Sequence, residues 1–229
     1  MRPLILCVVA AALAGAGCRP APPEAPTELD DLIHFFFEEF PGDEDANVLA
    51  GGDNLGAWFD AADEVVDGWA TGQVSELSQA EVDALPMMTW DPDPSLAVGV
   101  YILVDLPCTL AQTVDIYLEP DQLSLFPDSY SAYERSYDSD YECFPDGGCD
   151  QVDWTVAIED SIAGLTMTYE METSLRRRVD PEDDSRELVM ARNVMPAAAD
   201  ENIAAAGFEQ SYHIEVYAPR GEDRTLHLY

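Results

Sequence analysis

The chain of 229 residues carries 46 acidic and 10 basic side chains, which gives a formal net charge of −36 at pH 7. This charge argues against binding to nucleic acid or to anionic lipid headgroups, because both are held by basic patches. The hydrophobic content of 47% is nevertheless too high for a disordered chain, so we expect one folded domain with an acidic, solvated surface.

A cleavable export signal is predicted in residues 1–17. Arg2 supplies a positive charge, the apolar stretch over residues 4–14 is too short to span a bilayer, and small residues lead up to Cys18. This junction resembles the lipobox of bacterial lipoproteins, although Gly15 stands where that class prefers a branched apolar residue. The resemblance implies that Cys18 is lipidated. An ordinary secreted protein, cut at the same junction, is the alternative.

Residues 18–28 are predicted to be the lipidated cysteine and its tether, and residues 29–229 a single acidic α+β domain. Four prolines between Pro20 and Pro26 make a stiff, extended segment of the kind that a lipid anchor needs as a spacer. The resemblance therefore implies attachment to the membrane of the cell envelope through the lipid. Because Arg19 replaces the aspartate that favours inner-membrane retention in such lipoproteins, it also implies the outer membrane.

Three helices are predicted at the start of the domain. The first has apolar residues at helical spacing from Leu29 to Phe40, and Thr27 is placed to cap it. The second follows Asp53-Asn54 and carries an apolar stripe that runs as far as Trp69. The third is short and is opened by the capping box from Ser78 to Glu81.

From about residue 96 the apolar period changes from helical to two, which predicts strands. The seven predicted strands are residues 96–105, 114–119, 152–159, 165–179, 188–195, 209–218 and 224–229. Short connections imply antiparallel neighbours, and the alternation implies one wet face. The order of elements thus predicts an α+β fold, with helices on one face or end of a curved antiparallel sheet of about seven strands.

The cysteines of the domain predict one disulfide. A Pro-Asp-Gly-Gly turn lies between Cys143 and Cys149 and brings their ends together, which favours a bond between them and leaves Cys108 free and buried. A long-range bond from Cys108 to either cysteine is the alternative, since spacing alone does not determine connectivity.

Residues 120–151 are predicted to be an ordered loop with functional tyrosines. Tyr130, Tyr133 and Tyr137 stand among polar residues and suit recognition if exposed, because each has an apolar body and a polar tip. The same loop has alternating carboxylates at Asp138, Asp140 and Glu142, with Asp146 following, which makes calcium a candidate ligand. A solvated acidic loop without metal is the simpler interpretation, and no cofactor is predicted.

Candidate catalytic residues are few. The sequence has no nucleophile-elbow serine, zinc-protease motif or phosphate-binding loop, and its only histidines are His34, His213 and His227. A last turn centred on Gly221 would put His213 and His227 on one sheet face, with Glu215 opposite His227 and Tyr229 opposite His213. We interpret this as the polar face of a hairpin and His34 as a surface residue, so no catalytic residue is assigned.

Three functions follow from these features. The first hypothesis is a non-enzymatic module of the cell envelope, in which the sheet or the tyrosine loop binds another protein or a surface polymer. The second is a carrier of a small apolar ligand inside the curved sheet, in a cavity lined by Met167, Met171, Met190 and Met195. The third is a hydrolytic enzyme. A cavity in the sheet would favour the carrier, and a cleft joining a histidine to buried carboxylates would favour the enzyme.

Overall fold

A computed structural model describes residues 24–127, 130–162, 165–202 and 208–229. The predicted signal peptide and the lipidated Cys18 lie outside the described residues. Ala25 is buried, and the Asn54 side chain donates hydrogen bonds to the Ala25 and Pro26 carbonyls, so the packed part of the described chain begins before the first helix. Within these described ranges, no helix is long and apolar enough to cross a membrane.

The described residues form five α-helices and a sheet of nine strands. The helices are α1 (Leu29–Glu39), α2 (Asp45–Ala61), α3 (Gln79–Asp83), α4 (Leu110–Leu118) and α5 (Gln122–Leu125). The strands are β1 (Trp69–Val74), β2 (Gly99–Leu106), β3 (Ala132–Tyr137), β4 (Gln151–Ile162), β5 (Leu165–Asp180), β6 (Asp183–Val194), β7 (Asp200–Glu201), β8 (Tyr212–Pro219) and β9 (Thr225–Leu228). The strand order is β1-β2-β9-β8-β6-β5-β4-β3, with β7 beside β5 and every pair antiparallel.

The predicted α+β class is confirmed, but the predicted strand 114–119 is wrong, because residues 114–118 belong to α4 and Glu119 is its C-cap. The Thr109 hydroxyl accepts the Gln112 N–H at 3.2 Å, and the Gln112 side chain accepts the Thr109 N–H at 3.0 Å, so a capping box starts a helix here. Leu110, Val114 and Leu118 are then four residues apart and buried on one helix face. The apolar residues of this segment fit both the helical period and the strand period, and the capping box makes it a helix.

The second helix also differs from its prediction. It begins at Asp45, before the predicted start, and it ends at Ala61, so that Trp69 opens β1 instead of closing a helix. The pair Gly51-Gly52, which interrupts the apolar pattern, is buried in the middle of this helix against α1 and β6. The predicted cap of the first helix is likewise wrong, since its N-cap residue is Glu28 and makes no side-chain bond. The predicted third helix and its capping box are confirmed.

Helices cover both faces of the sheet, so the prediction of helices on one face and water on the other is wrong for the central strands. Met190 pairs with Val216 across β6 and β8, and both pack under α1 and α2. The preceding pair, Val189 and Tyr217, belongs to a second core that includes α4 and Trp154. The central strands therefore alternate between two apolar cores.

A buried arginine of the sheet donates hydrogen bonds to the end of α1. Arg178 on β5 is 1% exposed and donates to the Glu39, Phe40 and Gly42 carbonyls at 3.1, 2.7 and 2.7 Å. It also donates to the Asp45 carboxylate at 2.9 Å. One guanidinium thus satisfies the free carbonyls at the end of α1 and contacts the start of α2.

The segment predicted as an exposed tyrosine loop contains a strand, β3, and its tyrosines are half-buried. Arg135 donates to the hydroxyls of Tyr133 and Tyr137 at 2.8 and 2.9 Å, and its guanidinium lies 4.8 Å from the ring centre of Trp154. Tyr137 also stacks on Tyr141, with 4.1 Å between ring centres. The prediction of an exposed tyrosine surface is therefore wrong, because these rings pack against the second core.

The Cys143–Cys149 disulfide is present as predicted. Cys108 is free, but it is half-buried rather than buried, and its Sγ lies 3.2 Å from the Thr113 hydroxyl.

Candidate functional site

A cavity of about 360 Å³ lies in the sheet where β2 and β8 separate. Leu228 of β9 pairs with Leu103 on β2 and with Val216 on β8, so β9 fills the space between those strands only up to this point. Tyr229 still bonds Ile102 through both backbone groups, and the described parts of β2 and β8 extend further along the sheet than this end of β9. The cavity occupies the resulting notch.

The cavity is lined mainly by apolar side chains. Ile33 and Phe37 of α1 lie on one side, and Tyr212 and Ile214 of β8 lie on another. At the mouth, Val98 is 72% exposed. The neighbouring Val100 on β2 is 63% exposed and also lines the cavity. An apolar recess that reaches the surface through exposed valines is the usual form of a site for small, poorly soluble molecules.

One wall of the cavity carries a chain of polar contacts. His34 Nδ1 lies 2.6 Å from Glu81 Oε1, and His34 Nε2 lies 3.0 Å from the Ser75 hydroxyl. The same hydroxyl donates to Asp30 Oδ2 at 2.7 Å, and the Ser75 N–H donates to Asp30 Oδ1 at 2.7 Å. Because an ionised carboxylate only accepts, the proton between His34 and Glu81 resides on Nδ1.

The charges of His34, Glu81 and Asp30 stabilise one another. Burial alone would lower the pKa of His34, but the Glu81 and Asp30 carboxylates raise it above its ordinary value. Burial alone would raise the pKa of Glu81, yet its bonds with Ser78 and His34 lower it. Glu81 is therefore an anion held between the imidazole and the Ser78 N–H, which it accepts at 2.6 Å.

The opposite wall carries a second serine–histidine pair. The Ser211 hydroxyl lies 2.8 Å from His213 Nε2, and the His213 ring makes an edge contact with Tyr229, with 5.0 Å between centres. Burial lowers the pKa of His213, although the nearby Glu215 opposes this shift. His213 is therefore neutral at physiological pH.

Behind this wall, Glu215 is buried in a closed network. Its carboxylate accepts from Tyr117, Asn193, Tyr217 and His227 at 3.1, 2.9, 2.5 and 3.1 Å. Burial would raise the pKa of Glu215, but the bond and charge of His227 and the Tyr217 hydroxyl lower it. Four donors occupy the carboxylate, and it does not reach the cavity, so the network is structural.

His213 and His227 lie on one face of the β8–β9 hairpin, as predicted, but the predicted register between these two strands is wrong. Tyr217, and not Glu215, lies opposite His227, because the loop closes one residue later, around Glu222. Gly221 has a φ of +74° in this loop. The face is also covered rather than open, since Tyr117 of α4 packs on Tyr217 with 5.7 Å between ring centres.

Two other predicted sites are not assembled. In the part of the chain that the structure describes, no three of the carboxylates Asp138, Asp140, Glu142 and Asp146 converge as a metal site would require. Asp140 instead accepts the Glu142 N–H at 3.0 Å. The predicted methionine cavity is wrong as well. Met190 belongs to the core under α1, whereas Met171 and Met195 belong to the core on the opposite face of the sheet.

The Ser75, His34 and Glu81 arrangement was missed by the sequence analysis. Its three residues come from separate elements, and no short motif joins them. The one visible signal was the capping box, which identified Glu81 as a helix-start residue and gave no reason to place His34 beside it.

No family model matches the chain, and no curated protein matches it. Among solved structures, the chain is similar to a STAR-related lipid transfer protein (fragment 25–204) from Xanthomonas axonopodis. The TM-score is 0.41 and the identity 8%, over 72% of this chain and 76% of that one. A similarity this low carries no argument about function, which is therefore inferred from the cavity alone.

Proposed function

We propose that the domain binds a small, largely apolar molecule in the cavity between β2 and β8. The observation that supports this function is the apolar notch itself, whose volume of about 360 Å³ falls within the range of ligand pockets. An apolar ligand in this space would also cover the exposed Val98 and Val100. The carrier hypothesis thus takes precedence over the binding module, whose tyrosines are packed inward.

The experiment is a titration with N-phenyl-1-naphthylamine, a neutral apolar dye whose fluorescence rises in apolar surroundings. Val98→Asp places a charge at the mouth, and Leu96→Asp is the matched control, because Leu96 is 71% exposed but does not line the cavity. We expect saturable binding by the wild type, about tenfold weaker binding by Val98→Asp, and little change in Leu96→Asp. Absence of saturable binding, or equal weakening by both variants, would contradict the proposed function.

We further propose that the domain is exported and held at the outer membrane by a lipid on Cys18. The signal sequence, the lipobox-like junction and the proline-rich tether support this location. Cells that express Cys18→Ser should release the protein from the membrane fraction and no longer incorporate labelled fatty acid into it. Unchanged membrane association of that variant would contradict the anchor.

A further inference from the structure

We propose that Ser75, His34 and Glu81 form a catalytic triad that hydrolyses esters whose apolar acyl chain occupies the cavity. The inference rests on the proposed binding function and adds a reaction to it. Its basis is the convergence of a hydroxyl, an imidazole and a carboxylate at hydrogen-bond distance, 3.0 Å from Ser75 Oγ to His34 Nε2 and 2.6 Å from His34 Nδ1 to Glu81 Oε1. These are the contacts that activate a serine nucleophile.

Each member has a distinct role. Glu81 is a positioning residue: one of its oxygens accepts the Nδ1 proton of His34, and the other accepts the Ser78 N–H at 2.6 Å, so the carboxylate is held from both sides. When the imidazole is neutral, this bond keeps its proton on Nδ1 and leaves the lone pair on Nε2, the atom that lies 3.0 Å from the Ser75 hydroxyl. His34 can therefore act as the base and Ser75 as the nucleophile.

The location fits an ester with an apolar acyl group. Ser75 and His34 both line the cavity, so an acyl chain lying against Ile33 and Phe37 would have its carbonyl end near the polar wall. The Ser75 side of the wall reaches solvent, whereas the Glu81 side chain is 9% exposed. Reagents can thus reach the nucleophile while the positioning carboxylate stays shielded.

Asp30 sets the resting state of the site. The Ser75 hydroxyl donates its one proton to Asp30 Oδ2 at 2.7 Å. In this resting state the Nε2–H of the protonated imidazole donates to Ser75 Oγ at 3.0 Å and lies 3.3 Å from the Ser75 carbonyl. Asp30 and Glu81 are the charged groups that face His34, and both favour its protonated form. Reaction requires the neutral imidazole, toward which the hydroxyl turns, so activity should rise with pH through a pKa above the ordinary value of histidine.

The reaction balances with water as the second substrate. Ser75 Oγ bonds to the acyl carbon as its proton passes to His34 Nε2. The bond from the acyl carbon to the alcohol oxygen then breaks, and the alcohol leaves with that proton. Water adds to the acyl-enzyme by the same route in reverse, which releases the carboxylic acid and restores the serine.

The test uses the full chain, with p-nitrophenyl hexanoate as substrate and a fluorophosphonate as a covalent serine label. We expect slow ester turnover and label on Ser75 in peptide mapping, and loss of both in Ser75→Ala. Ser124→Ala is the control, because Ser124 is exposed, its hydroxyl also donates to a carboxylate, that of Asp121, and it does not line the cavity. It should keep turnover near the wild-type rate.

Glu81→Gln tests whether Glu81 positions the His34 imidazole. It should lower kcat by about a hundredfold or more while KM changes little, because the substitution alters the tautomer of His34 rather than the cavity. Dye binding by every variant serves as the check that the fold and the cavity are intact.

Retained dye binding without turnover or labelling would overturn the triad and leave the binding function standing. Label on Ser211, or equal activity of Ser75→Ala and the wild type, would also overturn it. Loss of dye binding in the wild type would contradict both proposals.

Discussion

Replacing Arg178 with Met should destabilise the domain more than any replacement of a surface arginine. Met preserves much of the apolar stem and removes all four hydrogen bonds, three to carbonyls at the end of α1 and one to Asp45. Because Arg178 is 1% exposed, those acceptors lose a charged donor at a site that water reaches poorly. The Asp45 side chain is 39% exposed, so most of the cost comes from the carbonyls. A buried acceptor left without its donor costs about 1–3 kcal/mol, a large share of a typical stability of about 5–15 kcal/mol.

The assay is urea unfolding followed by circular dichroism, with Arg186→Met as the matched control. Arg186 also holds two carboxylates, Asp53 and Asp180, but its side chain is 37% exposed, so its pairs should contribute at most about 1 kcal/mol. The slopes of the two transitions should agree, so that midpoints report stability. A loss for Arg178→Met no greater than that for Arg186→Met would refute the assignment of Arg178 as the bond between α1 and the sheet.

Three further predictions concern the helices. Gly51→Ala should cost about 1–3 kcal/mol of unfolding free energy, because the new Cβ would lie 2.9 Å from the Phe35 ring. Gly56→Ala should instead stabilise α2 by about 0.5–1 kcal/mol, because its new Cβ would meet no neighbouring group within 4 Å. Equal effects of the two substitutions in thermal unfolding would contradict this. Thr109→Ala should cost about 1 kcal/mol in urea unfolding by removing the cap of α4, and no measurable loss would contradict the capping box. The raised pKa of His34 predicts a stabilising contribution that is complete below about pH 6.5 and is lost as pH rises through the folded-state pKa. The stability difference between wild type and His34→Gln should therefore shrink as the pH rises above about 6.5, and a constant difference would count against it.

The parts of the fold that the sequence predicted are those whose signals are local and long. The alternation over residues 152–159 and 165–179 is sustained enough to identify β4 and β5, and the capping box identified α3. The missed strands β1 and β3 are six residues each. In β3 the alternating half-buried positions are Tyr and Arg instead of aliphatic residues, so polarity alone gave no sign of a core face.

The cavity was beyond prediction because it depends on how strands of different length pair. The notch lies where the described parts of β2 and β8 extend past Leu228 of β9. Moving the hairpin loop by one residue, as in the predicted register, shifts the pairing between β8 and β9 by two. Strand patterns determine which face a residue occupies, but the register across a loop sets where the notch lies.

The two serine–histidine pairs of the cavity show why the Ser75 pair is the better nucleophile. In the described part of the chain, His213 Nδ1 has no carboxylate partner, and burial lowers the pKa of this histidine, so it is a weak base beside Ser211. His34 has the opposite surroundings, since the Glu81 carboxylate stabilises the imidazolium that forms when the serine proton is transferred. Both pairs adjoin the same apolar space, so the difference between them is electrostatic rather than positional. A labelling reagent that reaches both serines should therefore react with Ser75 and leave Ser211 unmodified.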